Sequence, residues 1–188
     1  MSLQDLQSTL HKLQNLSPTS SDDISATLHQ AKRQLLHHNA LLPTPSTSPQ
    51  LLHLARSILE FGALFSIRLQ NPEAFTRYFQ QLSPFYELPA LSFSSRDDGQ
   101  RSKVTGLYLL LLLTKGDYAG FHTLLEALET EIGSVEGRTL ESDTFIGYSV
   151  KLERWLMEGS YDRVKKAAGR EEVPSEEFAV FSEVSHAL

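Results

Sequence analysis

A spacing dominates this sequence. Three times a helix-forming run ends at a short breaker and an aromatic opens the next run: Asn71-Pro72 with Phe75, Gly116-Asp117 with Tyr118, and Gly159-Ser160 with Tyr161. The three aromatics stand 43 residues apart. Twelve positions before them stand the small residues Ala63, Gly106 and Ser149, and six before them Leu69, Leu112 and Trp155. Three positions after them come Tyr78, Phe121 and Val164. Self-similarity at such a length marks stacked supersecondary units, and this period exceeds the roughly 34 residues of a tetratricopeptide unit. A small residue lets one helix approach its neighbour closely. An aromatic just after a tight turn fills the space between the two helices of a hairpin. One hairpin cannot bury both its faces, so hairpins stack. The spacing predicts an all-α chain of about nine or ten helices, built as a right-handed solenoid of antiparallel helix pairs. It also predicts that Tyr118 and Tyr161 are largely buried at equivalent places and that Trp155 meets the core or a neighbouring helix. Gly159, after a helix, is expected to turn the chain with φ > 0.

Composition supports the helical reading. The 188 residues include 32 Leu against 12 Val and Ile together. Leu is a good helix former, whereas β-branched side chains favour strands. Leu3, Leu6, Leu10, Leu13 and Leu16 recur at helical spacing, as do Ile24, Leu28, Ala31, Leu35 and Leu36. Asp22 and Asp23 suit the first turn of the second of these helices. A polar, Pro-rich connection over 39–49 ends with Ser48-Pro49, an N-cap followed by Pro at the first helical position. The expected organisation is a helical hairpin with its linker over 1–48, repeats of about 43 residues over 49–174, and the start of another helix over 175–188. Two interruptions, 84–101 and 133–142, read as exposed loops between repeats.

Several chemistries are disfavoured. The net charge is −6, and the 17 basic residues form no dense block, which argues against nucleic acid as a main partner. With no Cys there is no disulfide, thiolate metal site or thiol nucleophile. The longest apolar run, Leu107 to Leu113, is far short of a membrane span, and Met1-Ser2-Leu3-Gln4-Asp5 does not open a secretion signal. Phosphate-binding Gly-rich loops, HExxH and GxSxG are missing. His37 and His38 are adjacent, so on a helix their rings diverge by about 100° and share an ion poorly. His11 and His29 fall on polar faces, His53 reads as a packed edge residue and His122 as a structural hydrogen bonder. Asp97-Asp98-Gly99 lacks the rest of a calcium loop. Glu171-Glu172 and Glu176-Glu177 flank Pro174-Ser175 and read as solvated acids of a first helical turn. No catalytic, cofactor-binding or metal-ligating residue is assigned.

Four stretches together carry a resemblance. They are Ala55-Arg56-Ser57-Ile58-Leu59-Glu60-Phe61-Gly62-Ala63, then Ser66-Ile67 with Arg77-Tyr78, then Phe121-His122-Thr123 with Leu125-Glu126, and Leu152-Glu153-Arg154-Trp155-Leu156-Met157-Glu158-Gly159-Ser160-Tyr161. In order and spacing, over roughly residues 50 to 184, this resembles the PCI family shared by the proteasome lid, the COP9 signalosome and translation initiation factor 3. The last run points to the lid branch. The resemblance implies a tetratricopeptide-like helical region followed by a winged helix, and a non-catalytic scaffold in lid assembly, lid–base association and ubiquitin-dependent degradation. It further implies partners among the PCI lid subunits, and possible ones among the ubiquitin-receptor and ATPase-base subunits, in cytoplasm and nucleus, without nucleic acid or membrane. The alternative is a subunit of the signalosome or of the initiation factor. The winged helix is expected to lie beyond residue 188.

Overall fold

In the computed structural model every regular element among the described residues is helical; these residues are 3–15, 21–44, 47–88, 100–132, 139–167, 169 and 173–179. The order is α1 (Leu3–Asn15), α2 (Ser21–His37), α3 (Pro49–Arg68), α4 (Pro72–Tyr86), α5 (Arg101–Thr114), α6 (Tyr118–Ile132), a 3-10 turn (Leu140–Ser142), α7 (Ile146–Met157) and α8 (Tyr161–Ala167). A further helical turn occupies 176–179.

The local chemistry explains these limits. Ser48 caps α3 by accepting from the Leu51 amide, with Pro49 just inside the helix. The ends of α2, α3, α5 and α7 share one device. In each, a single residue adopts the left-handed region: Asn39 (φ 50°), Gln70 (54°), Gly116 (70°) and Gly159 (69°). The two amides that follow the helix reach back to orphan carbonyls, as Gly116 N to Leu113 O at 3.0 Å and Asp117 N to Leu112 O at 2.9 Å. This is the Schellman arrangement, repeated at Gln70–Asn71 and Gly159–Ser160. After α3 and α5 the next residue caps the following helix through its side chain. Asn71 Oδ1 accepts from Ala74 N and Asp117 Oδ1 from Gly120 N, each at 2.9 Å. Two residues therefore end one helix and start the next.

Each pair α3–α4, α5–α6 and α7–α8 is such a hairpin, and the contacts between neighbours are antiparallel. Tyr86, ending α4, lies under the Arg101 guanidinium that opens α5, while Phe79 stacks on Tyr108 at 3.8 Å. The stack of hairpins is an all-α solenoid. Its centre is α5, where Val104, Leu107 and Leu109–Leu113 are all buried, as expected of a helix apolar on every side. The hairpin α1–α2 closes one end with Leu6, Leu13, Ile24, Leu28, Ala31 and Leu35 buried.

The caps also set the register of the repeat, and here the sequence expectation needs correction. Phe75, Phe121 and Val164 each donate to the carbonyl of the cap residue before them, namely Asn71, Asp117 and Ser160. The first step is thus 46 residues and only the second is 43. Phe75 corresponds to Phe121, not to Tyr118, and both are fully buried. Tyr118 and Tyr161 are the first residues of their helices and point outward, 39% and 69% exposed. Aligning aromatic with aromatic displaced the first unit by nearly one helical turn.

The small residues meet where α5 and α7 cross. Ser149 is fully buried and its Oγ donates to the Gly106 carbonyl at 2.8 Å. A Cβ on Gly106 would stand 2.7 Å from the Phe145 carbonyl oxygen, so no larger residue fits without movement. Ala63 is fully buried within α3. Trp155 is partly buried and packs on the core from α7.

Candidate interaction surface

Because the helices alternate in direction, the C-terminal ends of α3, α5 and α7 face one way, and the three-residue turns that follow them form one edge of the solenoid. That edge carries the exposed large apolar side chains Leu69, Tyr118, Met157 and Tyr161. Asp117, Glu158, Asp162, Lys115 and Arg163 lie beside them and are exposed. Scattered apolar surface residues are ordinary, but aromatics interleaved with charges along one edge are the composition of a protein-contact surface. Leu36 and Leu42 add exposed apolar area at the end of α2 and just after it.

Beneath the surface runs a polar network for which the sequence reading assigned no role. Arg56 and Glu60, one turn apart on α3, are 1% and 2% exposed, with Arg56 Nε 3.7 Å from Glu60 Oε1. Glu60 also accepts from the Tyr86 hydroxyl at 3.1 Å and the Gln100 amide at 3.3 Å, tying α4 and the start of α5 to α3. Burial pushes the Tyr86 phenol well above its ordinary range, and the Glu60 charge adds to it. Arg101, buried in the first turn of α5, makes a two-pronged pair with Glu131 near the end of α6, at 2.8 and 2.6 Å. Buried charges must be paired, and these pairs fix which helices are neighbours. The signal available in sequence was Arg56 and Glu60 standing inside an apolar run.

A cleft of about 550 Å³ opens between the α1–α2 hairpin and α3. It is lined by the apolar Leu13, Ile24, Phe61 and Phe65 and by the charged Glu60, Arg68, Lys103 and Glu177. Glu177 corrects a second expectation. It is not a solvated acid but 2% exposed, held by Arg68 and Lys103, while its neighbour Glu176 is exposed. Burial raises its pKa, but hydrogen bonds from Lys103 and Arg68 and the nearby positive charge outweigh this and bring it down to about 2.

Among the described residues the histidines do not converge. His37 and His38 face each other edge-on at 5.8 Å, His11 approaches Asn15, and His122 Nε2 lies 3.4 Å from Glu153 Oε1 across α6 and α7. His53 is half-buried on α3. Among the described residues no group of three or more His, Cys, Asp or Glu is placed to hold a metal, and no helix is long and apolar enough to cross a membrane. Asp97-Asp98-Gly99 and Glu171-Glu172 lie outside the described residues.

Stacked two-helix hairpins with buried ionic ties and a mixed apolar and charged edge define a helical-repeat scaffold. No protein-family model matches the chain. Comparison with individual proteins is specific. The chain is 38% identical over 136 residues to 26S proteasome regulatory subunit RPN12 of Saccharomyces cerevisiae, covering 70% of this chain and 47% of that protein. It is 37% identical over 138 residues to rpn12 of Schizosaccharomyces pombe, covering 73% and 46%. To the 26S proteasome non-ATPase regulatory subunit 8 homolog A of Arabidopsis thaliana it is 34% identical over 162 residues, covering 84% and 55%. Over most of its length the chain is therefore homologous to the proteasome regulatory subunits called RPN12 or non-ATPase subunit 8. It spans about half the length of these curated relatives.

Proposed function

We propose that the chain is the helical-repeat part of a non-catalytic scaffold subunit in the lid of the 26S proteasome regulatory particle. In this reading it acts in lid assembly and in lid–base association for ubiquitin-dependent degradation. The observation that carries it is the homology to proteins named as regulatory and non-ATPase subunits. The turn edge supports it physically. Stable interfaces bury about 1,200 to 2,000 Å², and an extended row of hairpin ends can supply such an area without a pocket. Partners in this reading are the PCI subunits of the lid, then the ubiquitin-receptor and ATPase-base subunits. The place of action is cytoplasm and nucleus.

Affinity purification of the full-length protein, with mass spectrometry of what accompanies it, tests the proposal. Lid and ATPase subunits in near-equal amounts are expected. Enrichment of signalosome or initiation-factor subunits in their place would overturn it, and so would an intact lid in cells that lack the protein.

A further inference from the structure

Residues 173–179 follow the last hairpin, yet they touch the first (α3–α4), second (α5–α6) and third (α7–α8) hairpins of the repeat. The Glu177 carboxylate spans two of them. Its Oε1 accepts from Arg68 Nε at 3.2 Å and Arg68 Nη2 at 2.8 Å, from the end of α3. Its Oε2 lies 2.7 Å from Lys103 Nζ, in the first turn of α5, and accepts from Ser175 Oγ at 2.9 Å. The next residue points to the third hairpin. Phe178 is fully buried, stacked on Phe145 at 5.8 Å and edge-on to Tyr148 at 5.5 Å.

In a solenoid each repeat meets chiefly its neighbours, so tilt between hairpins is the soft direction of the structure. A segment that grips the first, second and third hairpins together removes that freedom. The grip is strong at both points. Glu177 is a buried carboxylate with charge-assisted bonds to two cations, and Phe178 is an aromatic anchor in a closed slot. We propose that residues 173–179 are a clasp that sets the relative tilt of the three hairpins, with Glu177 locking the first to the second and Phe178 holding the third. Freeing these two side chains lets the solenoid change curvature while each hairpin stays folded.

The clasp is tested by amide hydrogen exchange and small-angle scattering on the full chain and on Glu177→Gln, which keeps shape and removes charge. The expected result is a local loss of protection, about tenfold or more, in 64–68 and 101–104, with protection unchanged in the middle of α6 and a measurable change in maximum dimension. Phe178→Leu, milder than truncation, should instead loosen the segment 145–148. Lys103→Met should cost less in the Glu177→Gln background than alone. Unchanged exchange in α3 and α5 on Glu177→Gln overturns the proposal. A uniform rise across every helix also overturns it, because that is general destabilisation rather than release of a clasp.

Discussion

At Gly159 the backbone has φ 69° and nothing within 4 Å of where a Cβ would stand. The cost of a side chain there is conformational, not steric. Gly159→Val should lower stability by about 1–2 kcal/mol, the penalty of the left-handed region for an L-residue, as read from urea melts. Gln70 is the converse case: it holds φ 54° with a side chain already present. Gln70→Gly should stabilise the protein by a few tenths to about 1 kcal/mol, measured as a higher melting midpoint. Glu177 predicts a dependence on pH. Its carboxyl is held near 2, below its ordinary value of 4.5, so its contribution is complete above about 4.5 and is lost as pH falls toward 2. The charged groups facing it are Arg68 from α3 and Lys103 from α5, with Glu60 lining the same cleft. Melts of the parent and of Glu177→Gln should converge as the pH falls from 5 to 2.5; parallel curves would contradict the assignment.

Among the elements, the hairpins were legible because their chemistry is local. Breakers, caps and Leu spacing are properties of a few consecutive residues, and they located α3 to α8. The register was not legible, because it depends on how far past the turn each helix places its core aromatic. In α4 that residue is Phe75, and in α6 it is Phe121, each four after its cap. Tyr118 and Tyr161 mimic the pattern one turn early while lying outside the core. A pair of substitutions separates the two readings. Phe121→Ala should cost about 3–5 kcal/mol, and Tyr118→Ala should stay within about 0.5 kcal/mol, both from denaturant melts. The ionic ties escaped sequence reasoning for a different reason. Arg101 and Glu131 are 30 residues apart, and Glu177 and Arg68 are 109 apart. Nothing local distinguishes such charges from solvated ones.

For the whole molecule, the exposed turn edge and the core separate cleanly, which allows the proposed docking to be probed without unfolding. Met157→Ala with Tyr161→Ala removes two large apolar groups from the turn edge. The melting temperature should stay within about a degree or two, because exposed side chains add little to stability. Capture of lid subunits by the full-length protein should fall; unchanged capture would move the docking surface elsewhere. The three-residue turns have one more consequence, for the tolerance of the gene to insertion and deletion. At Gln70–Asn71 and Gly116–Asp117 one residue ends a helix and the next begins another, so an added or lost codon there breaks a cap and shifts the following helix. An epitope or a small fluorescent domain inserted at either turn should therefore lower the melting temperature of the protein.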